Sequence, residues 1–174
     1  MTARLEEILA VLQPNGDRIG MPKGQTRGMI VLAAHALLFN SQGDVLLTQR
    51  STANLYGYWD VGITETIRID ETVIRGAKRG LYEELDISHR NMPWLTIIGK
   101  TNFEDGDFKR HVITYQSTYD GPLTPNPREI MALEWVPARI ASSEIQNRTR
   151  LFRDLTAYLW TIYEHILVPE IRQV

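Results

Sequence analysis

The 174-residue chain contains no cysteine. Disulfides, cysteine–zinc sites and a thiol nucleophile are excluded together. It also has no dominant charge: 19 Lys+Arg stand against 21 Asp+Glu, a formal net charge of −2 at pH 7. That balance does not suit a protein of nucleic-acid polymers or anionic membrane surfaces. No apolar run approaches the ~20 residues that a membrane-spanning helix needs. The opening segment MTARLEEILAVLQPNGDRIG carries acids and a Pro-Asn-Gly turn, unlike a secretory signal. Histidines occur at 35, 89, 111 and 165, with no pair at ligand spacing, and His35 lies in an apolar strand, where a structural imidazole is expected. What remains is 43% hydrophobic and 23% charged, a globular composition. The length suffices for one sizeable core. The expectation is a soluble, cytoplasmic, single-domain protein.

Residues 1–12 read as a short helix or strand leading into a small hairpin, with its turn in PNGDRIG, 14–20. MIVLAAHALLFN, 29–40, reads as a buried strand, SQGD as a turn, and VLLTQR, 45–50, as the returning strand. An aromatic loop, STANLYGYWDVGI, covers 51–63, and TETIRI, 64–69, alternates like a short strand. Asp70 is the expected N-cap of a helix over 71–85. Val73, Ala77, Leu81 and Leu85, with Ile74 beside them, make its apolar stripe. Strands are expected at 94–103, 108–119 and 131–137, with a Pro-rich loop at 120–130. A final helix capped by Ser142 or Ser143 would present Leu151, Phe152, Leu155, Leu159, Ile162, Ile166 and Leu167. Tyr158, Trp160 and Tyr163 lie on several of its faces, as in a helix completing the core or one shared in a homodimer. A hairpin, a helix, more strands and a helix give the α+β class.

The chemistry concentrates in WDVGITETIRIDETVIRGAKRGLYEELDI, residues 59–87. Glu83 and Glu84 stand side by side near the helix C-terminus, where the helix dipole disfavours anions. A cation relieves that, and paired carboxylates are hard oxygen ligands for Mg²⁺ or Mn²⁺. Arg79 precedes Glu83 by one turn and can hold it. The same residues also describe a plain solvated Arg–Glu face. Gly76 and Gly80 are unusual inside a helix, at about 1 kcal/mol each relative to Ala. Arg50, at a strand end, can clamp an anion. Trp59, Tyr56 and Tyr58 can stack on a ring or anchor the loop. Glu129, after the Pro-rich loop, is a further candidate ligand or base. Glu104, Asp105 and Asp107 read as a solvated hairpin tip.

This segment resembles the signature of the Nudix hydrolases: Gly, five residues, Glu, seven residues, Arg-Glu, an aliphatic, any residue, Glu-Glu, any residue, Gly, an aliphatic. Glu71, Arg79, Leu81, Glu83, Glu84 and Ile87 fall in register with it. Three positions depart: Glu65 stands for the first Gly, Gly80 for the Glu after the Arg, and Asp86 for the closing Gly. The box is therefore degenerate. The resemblance implies one α+β Nudix domain over 1–174, a mixed β-sheet sandwiched between helices, with an N-terminal hairpin extension (1–28), a core (29–140, box at 65–87) and a C-terminal helix (141–174).

The hairpin and PNPREIMALEWVP resemble the branch that contains isopentenyl diphosphate isomerase. That isomerase needs a Cys in the loop before the box, and this chain has WDVGITET there. Isomerase activity is therefore not expected. The resemblance implies hydrolysis of a diphosphate link in a nucleoside-diphosphate-linked or related small molecule. Glu83 and Glu84 would be catalytic and would hold Mg²⁺ or Mn²⁺, with Glu65 replacing the carboxylate missing at Gly80. Glu71 and Arg79 would be structural, and Arg50, Trp59 and Glu129 would meet substrate. The alternative is a non-catalytic Nudix domain that binds a phosphorylated ligand or a protein.

Overall fold

In the computed structural model, residues 6–167 are described. The first five residues of the expected lead-in (1–12) and the end of the expected last helix, 168–174, lie outside them.

The apolar run IVLAAHALLF forms β3 (Ile30–Phe39), the strand on which the sheet is built. One of its edges pairs in parallel with β8 (Phe108–Thr118) along the whole strand, from Ile30↔Lys109 to Phe39↔Thr118. Its other edge is divided among β1 (Ile8–Leu12), β6 (Ile63–Thr66) and β4 (Asp44–Arg50). β2 (Arg18–Pro22) completes the N-terminal hairpin with β1. β4 carries β5 (Trp59–Val61) and β9 (Ile130–Pro137), and β7 (Thr96–Asp105) lies outside β8. All pairings but β3–β8 are antiparallel, so the sheet is mixed, as expected.

Side chains alternate across β3. Leu32, Ala34, Ala36 and Leu38 pack with Ala77, Leu81 and Leu85 of α1 (Val73–Leu85). On the opposite face, Ala33 and Leu37 belong to clusters built with α2 (Ala138–Asn147) and α3 (Asp154–Leu167). Helices thus cover both faces of the sheet. Trp160 and Tyr163 are buried in this core, whereas Tyr158 is exposed. Among the described residues no helix is long and apolar enough to cross a membrane.

Several expectations are corrected. β5 occupies part of the segment expected to be loop, and β6 is the short strand expected at 64–69, begun one residue earlier and ended at Thr66. The chain turns sharply between them at Gly62, whose φ of 73° and whose missing Cβ, which would sit 2.3 Å from the Ala36 carbonyl oxygen, allow only glycine. Asp70 does not cap α1; Thr72 holds the N-cap position without a side-chain bond. Ile74 is exposed rather than part of the stripe. The single C-terminal helix is two, and Ser142 and Ser143 lie inside the first. Pro137 immediately precedes α2, and Arg148 ends it in the left-handed region at φ 52°. Leu151 and Ile166, expected on the buried face, are exposed.

Candidate functional site

Arg79 organises the loop–helix unit. Its guanidinium donates to both oxygens of Glu71, at 2.7 and 3.2 Å, and to the Thr66 carbonyl at 2.9 Å. It also pairs with Glu65 and Glu83, each at 3.2 Å. Glu71 accepts the Arg68 backbone N–H at 2.8 Å, which closes the loop onto the helix start. These contacts hold Glu71 below its ordinary pKa against the opposing effect of burial. Glu71 and Arg79 thus form a two-point ion pair that joins the loop to the helix.

The two helix glycines let α1 lie against β6. A Cβ at Gly76 would stand 2.3 Å from Ile67 Cδ1 and 3.2 Å from Glu71 Oε1. A Cβ at Gly80 would stand 3.0 Å from Glu65 Cβ and 3.4 Å from its Oε2. Glu65 therefore fills the space that a side chain at position 80 would need. Its Oε1 accepts the Thr66 N–H at 2.8 Å. Burial, aided by the Glu83 charge, raises its carboxyl to about 7 despite the neighbouring Arg79.

Glu84, the next residue of α1, takes no part in the Arg79 ion pairs among the described residues. Its carboxylate is half-buried, and no hydrogen-bond donor to it is found among the described residues. Burial pushes its pKa well above the usual range, helped by the carboxylates of Glu65, Glu129 and Asp60 and opposed by Arg50. Glu129 is brought beside the end of β4 by the Ser51 N–H, which donates to its backbone carbonyl at 2.9 Å. Arg50 reaches Asp60 Oδ2 at 3.1 Å and Thr52 Oγ1 at 3.0 Å. The structure thus gathers Glu84, Glu65, Glu129 and Arg50. It turns Glu83 towards Arg79 and, at 3.9 Å, Arg68. As the side chains stand, no three acids or imidazoles among the described residues are arranged to hold a metal ion.

Trp59 packs in the cluster behind the sheet, under the Arg150 guanidinium at 4.7 Å from its ring centre. Asp107 pairs with Arg27 at 2.7 Å and Glu104 with Lys109 at 3.4 Å, as befits a hairpin tip. Sequence reasoning did not single out Asp60. It is buried, and it joins Arg50 to Arg153, whose Nε lies 2.7 Å from Oδ1, and to Thr156 at 2.9 Å. A lone acid inside the apolar strand Trp-Asp-Val was the readable signal. Arg153 gave none, because its placement depends on residues 151–153 pairing with Trp59 through two backbone bonds, at 2.8 and 2.9 Å.

Comparison with known proteins agrees with this geometry. A comparison with curated protein sequences finds no match. Among solved structures, the chain resembles the protein DR0079 of Deinococcus radiodurans, with a TM-score of 0.71 and 20% identity over 89% of this chain and 98% of that one. It also resembles the NUDIX domain of Shewanella oneidensis NrtR, crystallised with ADP ribose (TM-score 0.63, 18% identity, 80% and 89% of the two chains). An Ap4A hydrolase of C. elegans matches at a TM-score of 0.59 and 17% identity, over 80% of this chain and 99% of that one. At these identities the likeness is one of fold. The family model described as NUDIX domain matches residues 29–155, most of the chain, and with the Glu71–Arg79 unit in place the chain belongs to the NUDIX domain family.

Proposed function

We propose that this chain hydrolyses a P–O–P link in a nucleoside-diphosphate-linked or related organic diphosphate, with Mg²⁺ or Mn²⁺ as cofactor. The observation that carries the proposal is Glu84, a half-buried carboxylate without a donor, surrounded by further acids and edged by Arg50. Such a set of hard oxygens suits a divalent cation. Glu84 and Glu129 would hold it, and Glu65 stands beside them where it can supply the oxygen lost at Gly80. Glu83 would steady Arg79 rather than bind metal. When bound, the cation neutralises diphosphate charge and lowers the pKa of a coordinated water.

The remaining work belongs to the chain's own residues. Arg50, fixed at the end of β4, aims its charge at the phosphate oxygens. Glu65 accepts the proton of the attacking water. Arg79 and Glu71 keep the loop carrying Glu65 in register with the helix carrying Glu84. The products are two phosphate-bearing fragments.

The test is release of phosphate or nucleotide from nucleoside di- and triphosphates, sugar nucleotides and dinucleoside polyphosphates in Mg²⁺ or Mn²⁺. Turnover that Glu84→Gln abolishes, with the fold unchanged by circular dichroism, is the expected result. The second reading, a domain that binds without turnover, draws on Gly80 and on the absence of a preassembled metal cluster among the described residues. It predicts thermal stabilisation by the same ligands with no product.

A further inference from the structure

A cavity of about 280 Å³ opens beside the cleft and shares Arg50 with it. The loop 51–58, the tip of the β7–β8 hairpin and the start of α3 enclose it. The loop is a preformed wall. The Arg50 and Gly57 N–H groups donate to the Tyr58 and Arg50 carbonyls, each at 2.9 Å, and the Gln49 side chain donates to the Gly57 carbonyl at 3.0 Å. Thr52 donates to the Asn54 carbonyl at 3.0 Å. Leu55 and Tyr58 of that loop line the cavity together with Phe103 and Phe108 of the hairpin, whose rings meet edge to face at 6.1 Å. A slot with apolar and aromatic sides suits a flat ring.

Charge divides the cavity in two. Where it meets the cleft, Arg50 and Arg153 share one partner: Asp60 takes Arg50 Nη1 on one oxygen at 3.1 Å and Arg153 Nε on the other at 2.7 Å. At the mouth, the hairpin tip contributes Asp105 and the first residue of α3 contributes Asp154, both exposed. Their hairpin neighbours Glu104 and Asp107 are paired with Lys109 and Arg27, but Asp105 and Asp154 have no cation partner among the described residues. The lining is thus cationic at the cleft and anionic at the mouth. An ionised carboxylate only accepts hydrogen bonds. A carbonyl oxygen or an anion held at the mouth is repelled, whereas an amino group is bonded.

We propose that this cavity seats the base of a nucleoside diphosphate substrate, and that Asp105 and Asp154 select a base carrying an exocyclic amino group. The inference rests on the hydrolase reading, which supplies the diphosphate at Arg50. Arg50 sets the order along the ligand: diphosphate in the cleft, ring between Tyr58 and the two phenylalanines, amino group at the mouth. An acidic side chain accepting from an amino group is also how proteins read cytosine. The volume is at the small end for ligand sites, so the cavity takes one base and not a second nucleoside.

Two substrate pairs test this, CDP against UDP and ADP against IDP, in which an exocyclic amino group is exchanged for a carbonyl oxygen on the same ring. In whichever pair the chain turns over, wild-type kcat/KM favours the amino member about tenfold, as a hydrogen bond to a charged group implies. The double variant Asp105→Ser/Asp154→Ser keeps a polar side chain at the start of α3 and brings that ratio to about one. Asp105→Lys, which puts a donor where an acceptor stood, moves the preference to UDP or IDP. A wild-type ratio near one overturns the proposal. So does a ratio that survives the double variant while both rates fall together, or one that still favours the amino member in Asp105→Lys. Calorimetric binding of the same pairs to Glu84→Gln separates this inference from the hydrolase reading. Discrimination there without wild-type turnover keeps the cavity and removes the hydrolase; turnover without discrimination does the reverse.

Discussion

Position 80 and position 65 form a reciprocal pair, because the carboxylate absent from one occupies the space of the other. Adding Glu at 80 alone forces two acidic side chains into one volume. Gly80→Glu should therefore lower stability by about 1–3 kcal/mol, the usual cost of overpacking. Combining it with Glu65→Gly should recover part of that loss. A double-mutant cycle in urea is expected to show coupling of at least about 1 kcal/mol between the two sites; additive effects would mean that they do not share the space. The resemblance to the signature suggests that Glu65 stands in for the carboxylate missing at Gly80, but not that the two positions compete for one space. They are linked only by the contact of a strand with a helix. The third departure is local: Asp86 follows α1 in the left-handed conformation, at φ 56°, where the signature places Gly.

That helix end carries an element-scale prediction. The N–H groups of Asp86 and Ile87 return to Tyr82 and Leu81, a glycine-type termination made with a side chain present. Asp86→Gly removes the left-handed strain, about 1 kcal/mol or slightly more, which outweighs the added unfolded-state entropy. The melting temperature should rise, with no change in the chemistry of Glu83 or Glu84. Strands were the most legible elements because their apolar runs and turns are local signals. The C-terminal half was less so. Its hydrophobic pattern spans α2, a pairing segment and α3, and periodicity cannot show that residues 151–153 leave the helix to bond Trp59. That pairing sets Arg153 beside Asp60, so part of the candidate site was hidden for the same reason.

At the scale of the molecule, one buried imidazole links the core to pH. His35, in the middle of β3, donates Nε2–H to the Val61 carbonyl at 2.7 Å and leaves Nδ1 buried without a partner. Burial lowers its pKa to about 4, with Arg153 adding to the effect. The folded state thus favours the neutral ring. Its contribution is intact above the unfolded value near 6.5 and is lost as pH falls from there to about 4. The loss by this group alone should be roughly 3 kcal/mol. Urea midpoints measured between pH 7 and 4 should fall more steeply for the wild type than for His35→Gln; parallel curves would contradict this.

β3 also bears on how the chain is made. One whole edge of IVLAAHALLF is satisfied only by β8, roughly eighty residues further along the chain. While the protein is being synthesised, that strand emerges from the ribosome long before its parallel neighbour exists. An apolar ribbon with open amides is then what a nascent-chain chaperone would meet first, or what two neighbouring nascent chains on one message would stick together by.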